Sequence, residues 1–352
     1  MVSTAAVSFA LQLARAPAAL ARRLQQCDSQ AAAAALCSSA GVVADPGLVA
    51  RTERWLERPN TQLVTFFDQA YPLRLKQIPQ PPLCLFCEGD AALLNAFQIA
   101  FVGSRKATQQ GLTTTDWLVT ALARAGTAIT SGLAMGIDAQ AHRSAMPLSA
   151  TIAVIGTGPD IAYPPRHRAL QAQVASTGLL VSEFPPGWPA KRDHFPRRNR
   201  IIAGLSYGVV VVEAVSRSGS LSTAAHALAQ NRELFVVPNS IWEPAAEGSN
   251  LLLQQGAKAV LNADDILQEF PQREPLFSQA PATLMKGVEN NPEQDLANSR
   301  LLANVGLEAT TLDSLVELTG LSAAEVSEQM VLLELLGHVA SVPGGFIRMR
   351  RR

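Results

Sequence analysis

The feature that most constrains how this chain can fold is a series of short apolar segments, separated by glycine-rich turns and segments of helical period. The apolar segments, predicted to be strands, span residues 98–102, 127–130, 151–155, 179–182, 208–212 and 234–237. The helical segments between them span residues 110–124, 138–146, 166–176, 197–205 and 220–230. Strands that are apolar throughout are typical of a parallel sheet buried on both faces. Because strands and helices alternate, we predict an α/β domain with a doubly wound parallel sheet.

The chain has 352 residues, more than one hydrophobic core usually serves, so two or three domains are expected. Residues 1–58 are rich in Ala, Leu and Arg with helical spacing of the leucines, and predict a small helical domain. The α/β domain is predicted over 59–270, followed by a linker over 271–297 in which Pro, Gln, Asn and Glu follow no period. Residues 298–352 show two helical stripes, a turn between them and a β-hairpin, which predicts a winged-helix domain.

The composition bounds the class of protein. Apolar residues make up 48% of the chain and charged residues 16%, a balance that favours packed structure over disorder. The 29 basic and 29 acidic residues cancel, so attraction to a polyanion depends on local clustering of charge. Four cysteines are too few for a secreted disulfide scaffold, and the apolar stretch 31–44 is too short to span a membrane. We therefore expect a soluble, cytoplasmic protein that does not bind membranes.

One cysteine pair has a spacing that can bind metal or carry redox chemistry. Cys84 and Cys87 form a C-x-x-C, but they lie in an extended run after two prolines and not at the start of a helix. Neither four clustered ligands nor a helix-opening redox motif is present. The sequence therefore predicts no metal and no cofactor.

Glycine-rich loops follow four of the predicted strands. In an open α/β sheet, ligands bind beyond the carboxyl ends of the strands, where these loops lie. Glycine lets the backbone approach a ligand, and the N–H groups at the start of the next helix attract anions. One such loop can be merely a tight turn, but four at the same edge predict a phosphate-binding surface. The candidate residues in these loops are Gly103, Ser104, Arg105, Ser131, Gly132, Gly136, Asp138, Ser218, Gly219 and Ser220, with Gly156-Thr157-Gly158 after the third strand.

A basic strip over residues 191–200 is the second anion-binding signal. It holds five cations and one acid in a chain without net charge. A solvated charge run is the ordinary explanation, but Ile201 and Ile202 follow directly, which places the cations at the opening of a buried helix. Arginine there can grip phosphate through two N–H groups, and the rings of Phe195 and His194 offer stacking surfaces for bases. The candidate residues of this strip are Lys191, Phe195, Arg197, Arg198, Asn199 and Arg200.

Taken together, these motifs resemble the DNA-processing protein A family, also called DprA or Smf. The matching blocks are residues 99–108, 131–142, 153–164, 194–206 and 218–224, in this order. They include Val102-Gly103-Ser104-Arg105, Tyr163-Pro164 and the run from His194 to Arg200. The resemblance covers about residues 60–260.

The resemblance implies an extended Rossmann fold that binds single-stranded DNA, forms a homodimer and helps to load RecA recombinase in natural transformation. It implies no enzymatic reaction. By motif match, Arg105 and residues 197–200 hold phosphates, the glycine-rich loops supply backbone contacts, and Lys191 and Arg192 are supporting charges. Where the family often has Lys after Tyr-Pro, this chain has Pro165-Arg166, so Arg166 is the candidate substitute. The second helix of the predicted winged-helix domain carries glutamates and no cation, which favours packing or a protein partner over DNA.

Two other functions stay open. The superfamily includes phosphoribohydrolases of the LOG type, whose glycine-rich loop ends in a catalytic glutamate. Alignment on Gly219 and Thr223 places His226 at that position, which leaves general acid–base catalysis without a candidate. A passive nucleotide-binding module is the other function, because the same loops suit a lone nucleotide. Dinucleotide and ATP sites are disfavoured, since Gly156-Thr157-Gly158 lacks the third glycine and no P-loop motif occurs.

Overall fold

The computed structural model describes residues 3–216, 218–276, 301, 304–305, 310–335, 339–342 and 345–348. The chain forms two compact units, Met1–Ala280 and Pro281–Arg352. The predicted linker lies outside the described residues from position 277 onward. The domain boundaries drawn from the sequence stay predictions.

Within the described residues, four helices precede the first strand: α1 (Thr4–Arg15), α2 (Ala18–Leu24), α3 (Gln30–Ser39) and α4 (Pro46–Leu56). Ser3, Ser29 and Asp45 each accept a hydrogen bond from a backbone N–H of the following first turn, which fixes where α1, α3 and α4 begin. The apolar faces of these helices share one core with Cys84 and Phe86 of the sheet. The helical segment is therefore packed on one face of the α/β domain.

The described residues form a nine-stranded sheet in the order β1-β2-β6-β5-β4-β3-β7-β8-β9. Its strands are β1 (Thr61–Thr65), β2 (Cys84–Gly89), β3 (Gln98–Val102), β4 (Ala128–Ser131), β5 (Thr151–Ile155), β6 (Leu179–Ser182), β7 (Gly208–Val211), β8 (Glu233–Val236) and β9 (Lys258–Ala259). Strands β3 to β9 pair in parallel, and β1 and β2 add an antiparallel edge. The predicted parallel sheet is confirmed. Strands β1, β2 and β9 were not predicted, because β9 has two residues and the first two are not followed by long helical segments.

Helices cover both faces of the sheet, as a doubly wound fold requires. They are α5 (Leu73–Lys76), α6 (Gln109–Arg124), α7 (Ile137–Ala145), α8 (Arg168–Thr177), α9 (His194–Leu205), α10 (Gly219–Ala229), α11 (Glu247–Gln254) and α12 (Asp264–Leu267). Alternate strand residues enter two separate cores: Val102 packs with α9 and α10 on one face, and Phe101 packs with α6 and α7 on the other.

Helix α9 begins three residues earlier than the sequence predicted, at His194 and not at Arg197. In the structure Pro196 lies in the first turn, where proline is tolerated because the N–H that it lacks would have no intrahelical acceptor. The whole predicted basic strip therefore lies at or just before the opening of this helix.

The two cysteines of the C-x-x-C lie on β2, three residues apart, so their side chains face opposite sides of the sheet. Cys84 belongs to the core shared with the N-terminal helices and Cys87 to the core under α9. Both thiols are free, and burial raises the pKa of Cys87 to about 12. Their geometry is that of two separate core residues.

The second unit contains α13 (Leu312–Thr319), α14 (Ala323–Leu335) and a hairpin of β10 (Val339–Val342) and β11 (Gly345–Arg348). Thr311 caps the start of α13, and Gly320 ends it in the left-handed conformation with φ of 71°. Leu315, Val326 and Val339 share its core. The predicted winged-helix layout is confirmed. Over the described residues of both units, no helix has the length and apolar character needed to cross a bilayer.

Candidate nucleic-acid interface

A cleft of about 840 Å³ lies at the carboxyl edge of the parallel strands. The chain runs outward from β3 through β4 and β5 to β6, then returns to place β7 on the other side of β3. The order reverses between β3 and β7, so the loops that follow these strands diverge and leave a crevice. Both loops line the cleft, the first through Gly103 to Lys106 and the second through Val215, Ser218, Gly219 and Ser220.

Backbone and side-chain contacts fix the loops around the cleft. Ser220 Oγ donates to the Gly103 carbonyl at 2.7 Å and joins the two loops. The buried carboxylate of Glu213 accepts from the Thr108 N–H at 3.0 Å and from the Thr108 hydroxyl, which anchors the loop after β3. Gly136 has φ of 72°, and a Cβ there would overlap the Ser104 carbonyl oxygen. The cleft walls are therefore preorganised by the fold.

The start of α10 contributes backbone donors to the cleft. Ser218, Gly219 and Ser220 line it, and no side chain caps the helix. The Ser218 hydroxyl is buried and has no hydrogen-bond partner among the described residues. Uncapped N–H groups and the helix dipole favour an anion at this position.

Among the described residues, four exposed cations line the cleft: Arg105, Lys106, Lys191 and Arg192. None of them forms an ion pair with any residue that the structure describes. Asp138 is the one carboxylate among the described lining residues, and it is buried, with Oδ2 accepting from the Gly132 N–H at 3.2 Å. Burial raises the pKa of Asp138, and the charge of Arg198 opposes that shift. The solvent-facing charge of the cleft is therefore positive.

Aromatic rings lie beside these cations. The ring centroids of Tyr163 and Phe195 are 5.0 Å apart with an interplanar angle of 36°, and both residues line the cleft. The guanidinium carbon of Arg105 lies 5.9 Å from the Phe195 centroid. His194, which the sequence offered as a second ring, is not available, because it is buried, stacked on Phe184 and donates to the Gly156 carbonyl at 3.0 Å. Phe195 and Tyr163 together can stack an unpaired base.

Arg198 lines the cleft, and it donates hydrogen bonds from Nε and Nη1 to groups of the fold. It is buried, and Nη1 donates to the carbonyls of Gly132, at 2.6 Å, and Val154. Burial lowers its pKa to about 10. Neighbouring Asn199 also lines the cleft and donates through Nδ2 to the Gly219 carbonyl at 3.2 Å. These two residues hold the β4, β5 and α10 loops together from behind the cleft.

Arg197 and Arg200, on which the sequence placed most weight, do not line this cleft. Both donate to Glu183, Arg197 at 2.9 Å, on the opposite flank of α9. The helical period explains the division, because residues four apart share a face and Arg198 lies with Ile202 toward the cleft. The phosphate-binding roles of Arg197 and Arg200 stay predictions that this placement does not favour.

Four further predicted residues lie outside the lining. Ser131 is buried and donates to the Phe101 carbonyl at 2.7 Å. Gly132 is buried against the Arg198 guanidinium, and Gly136 shapes the turn into α7. Arg166 is exposed in a short 3-10 turn, Pro165–His167, and is not among the lining residues. Ser131, Gly132 and Gly136 support the loops from behind the cleft.

The sequence model of the family "DNA recombination-mediator protein A" matches residues 62–271, which is more than half of the chain. This chain belongs to the DNA recombination-mediator protein A family. A model of the DprA winged helix domain matches residues 288–345. The resemblance to the DprA/Smf family that the motifs indicated is thereby confirmed.

Relatives of the DprA family support the same assignment. Protein Smf of Escherichia coli (strain K12) is 43% identical over 301 residues, covering 84% of this chain and 80% of that protein. The X-ray structure of DprA from Streptococcus pneumoniae aligns with a TM-score of 0.65 and 32% identity, covering 76% of this chain and 98% of that one. A structure of DNA processing protein A from Helicobacter pylori, described for its single-stranded DNA binding mode, aligns with a TM-score of 0.54 and 32% identity over 59% of this chain and 95% of that one.

Sequence reasoning missed or underrated four residues of this DprA-family cleft. Lys106 and Arg192 adjoin predicted cations, so the charge runs themselves were the available signal. Tyr163 was noted only as part of a family motif, although it pairs with Phe195. Glu213, a single acid at the end of an apolar strand, signalled a buried carboxylate with a structural partner.

Proposed function

We propose that this protein binds single-stranded DNA in the cleft at the carboxyl edge of its sheet. Arg105, Lys106, Lys191 and Arg192 contact phosphates, together with the N–H groups at the start of α10. The observation that carries the proposal is that these cations, unpaired within the described residues, share one cleft with the rings of Tyr163 and Phe195. A site for single-stranded DNA combines cations that contact the phosphate backbone with aromatic rings that stack on the bases.

A single strand fits this cleft better than a duplex. Stacking on Phe195 requires a base whose face is free, and a duplex keeps its bases stacked on one another. The binding mode ascribed to the Helicobacter pylori relative supports the same ligand class. Sequence preference is expected to be weak, because cations and rings recognise features that all nucleotides share.

The alternative functions have less support. A phosphoribohydrolase needs an acid–base group at the reacting bond, but Asp138 is engaged by backbone N–H groups and His226 does not line the cleft. Burial lowers the pKa of His226, and the charge of Arg200 adds to this effect. A passive nucleotide module would use the same loops, but four cations spread along the cleft exceed what one phosphate group requires.

Competition binding tests the proposal. A fluorescent oligothymidine is bound to the full-length protein, and its anisotropy is followed as unlabelled single strand, duplex of the same length or thymidine monophosphate is added. We expect the single strand to compete at the lowest concentration. Equal or better competition by the mononucleotide would overturn the proposal in favour of a nucleotide module, and release of free base from nucleoside monophosphates would favour the hydrolase.

The proposal extends to the process in which the family acts. We propose that the protein acts in the cytoplasm as a homodimer and helps RecA to load onto single-stranded DNA taken up in natural transformation. Membership of the family supports this step. Sedimentation of the full chain should give twice the monomer mass, and the protein should shorten the lag of RecA assembly on strands covered by single-strand-binding protein. A monomer, or an unchanged lag, would contradict the respective step.

A further inference from the structure

A second cleft, of about 660 Å³, lies on the other flank of α9. One wall is formed by α1 and α2 of the N-terminal helical segment, and the rest by the first half of α9, by Glu183 directly after β6 and by residues 79–81 and Leu83 before β2. The two arginines that the first cleft does not use, Arg197 and Arg200, both line it. Both walls belong to the first compact unit of the chain.

Glu183, Arg197 and Arg200 form an ion-pair cluster at the floor of this second cleft, and two of its polar atoms lack a hydrogen-bond partner among the described residues. Glu183 Oε1 accepts from both Arg197 and Arg200, while Oε2 of the same carboxylate has no partner among the described residues. Nε of Arg200 is likewise without a partner in the described chain. The side chains of Glu183 and Arg200 are 5% and 9% exposed, so each unpaired atom is kept from water and is unfavourable where it stands. A buried carboxylate and guanidinium usually satisfy each other through two parallel hydrogen bonds, which this arrangement leaves incomplete.

These two unpaired atoms are buried, so a ligand reaches them only after the Glu183 side chain turns toward the cleft, and they then define the chemistry of that ligand. Glu183 Oε2 requires a donor, and Arg200 Nε requires an acceptor close to it. The polar edge of a nucleobase offers an N–H beside a carbonyl or ring nitrogen, and so meets both requirements.

The walls and mouth of the second cleft suit the rest of a nucleotide. Small apolar residues of α2, Ala18 and Ala21, line one wall and leave room for a flat ring. Arg22 lines the cleft from the same helix and is exposed, and Arg197 is 53% exposed on the opposite side. With three arginines and one glutamate among the described lining residues, the cleft carries net positive charge. An anionic group near Arg22 and Arg197 would be attracted.

We propose that this second cleft binds one nucleotide. The base edge pairs with Glu183 Oε2 and Arg200 Nε after the carboxylate turns toward it, and the phosphate lies between Arg22 and Arg197. The nucleotide can be free in solution or part of a DNA strand that crosses the first turn of α9 from the first cleft. This inference goes beyond the proposed function, because occupation of the second cleft does not require that the first cleft bind DNA.

Variants on α2 test the second cleft without disturbing its buried ion pairs. Ala18→Trp fills the cleft from an exposed position, and Arg22→Ala removes the mouth cation. Ala19→Trp and Arg23→Ala are matched controls, since both residues are exposed on the same helix and do not line the cleft. Thermal melts compare the folding of all four variants with that of the original chain.

Calorimetric titration of the full-length protein with each of the four deoxynucleoside monophosphates, and with an oligothymidine, gives the decisive readout. We expect mononucleotide binding to weaken at least tenfold in Ala18→Trp and Arg22→Ala and to stay unchanged in the controls and in Arg105→Ala. Inorganic phosphate should compete far less well than the nucleotide. Absence of mononucleotide binding, equal competition by phosphate, or loss in Arg105→Ala but not in Ala18→Trp would overturn the inference.

The oligothymidine titration separates the two possible sources. A weaker affinity for the strand in Ala18→Trp indicates that the nucleotide belongs to bound DNA, and an unchanged affinity for the strand indicates a free nucleotide. If the first cleft does not bind the strand, Arg105→Ala will leave the affinity for the oligothymidine unchanged. The two proposals therefore fail in different measurements.

Discussion

Removing the Arg105 side chain should weaken the binding of single-stranded DNA by an amount that depends on salt. Arg105 is exposed at the first cleft, forms no ion pair within the described chain and lies beside Phe195. Its charge is therefore free to replace a counterion on a phosphate. Because no buried contact is lost, Arg105→Ala should leave the free energy of unfolding within about 0.5 kcal/mol of its original value.

Counterion release sets the size of the effect. Each phosphate contact on a single strand contributes about 0.7 to the slope of log affinity against log salt concentration, so the slope should fall by about 0.7 in Arg105→Ala. Across a tenfold range of salt, this difference corresponds to about a fivefold change in relative affinity. The four exposed cations together account for a slope of about 2.8, which sets the limit for combined variants.

The assay is fluorescence anisotropy with a labelled oligothymidine at a series of sodium chloride concentrations. Arg124→Ala is the matched control, because Arg124 is an exposed arginine at the far end of α6, the helix that follows the Arg105 loop. Its slope should equal that of the original chain. Equal slopes for Arg105→Ala and Arg124→Ala, or a fall in both, would refute the assignment of Arg105 to the phosphate path.

Three further predictions concern stacking, backbone geometry and pH. Phe195→Ala should cost about 1–3 kcal/mol of single-strand affinity with the salt slope unchanged, measured in the same titrations; a changed slope would mean that the ring acts through the cations. Gly136→Ala should lower the free energy of unfolding by about 1–3 kcal/mol in urea, because φ is 72° and the added Cβ meets the Ser104 carbonyl. Gly219→Ala is its control, since a Cβ there contacts nothing among the described residues within 4 Å, and equal losses would contradict the argument. Burial lowers the pKa of His142 from 6.5 to about 3. Between these two pH values the unfolded chain binds a proton at this histidine and the folded chain does not. The free energy of unfolding should therefore fall by ~1.4 kcal/mol per pH unit as the pH drops from about 6.5 toward 3. The same fall in His142→Gln would assign the effect to other groups.

The core of the fold could be predicted because its signal is local. Strands β3 and β5 are apolar at every position after the first, which is typical of a sheet covered on both faces, and their bounds match the prediction. The antiparallel edge was missed, since β1 is a five-residue strand of mixed polar and apolar residues without a long helix after it. Helix α9 begins three residues before its predicted start, and its first turn accepts Pro196.

The candidate site was predictable as a set of loops but not as a set of side chains. The glycines and cations stood in the sequence, and the reversal of strand order brings Gly103 and Gly219 together at one crevice. Which cation faces that crevice depends on rotation about α9 and on the position of Glu183, which lies 14 residues before Arg197 along the chain. The order of the charged residues in the sequence indicates neither the rotation of α9 nor the position of Glu183.

The sequence alone determined the strand and helix alternation, the four glycine-rich loops and the local excess of positive charge after position 190, because each depends on residues that are neighbours in the chain. The tertiary structure decided how that charge is divided. Packing of α9 against the sheet turns Arg198 into a buried support, directs Arg197 and Arg200 toward Glu183, and leaves Arg105, Lys106, Lys191 and Arg192 to the cleft. The physical reason is that a buried guanidinium must be paired, so the carbonyls and carboxylate brought near by the fold select which arginines stay free to meet a phosphate.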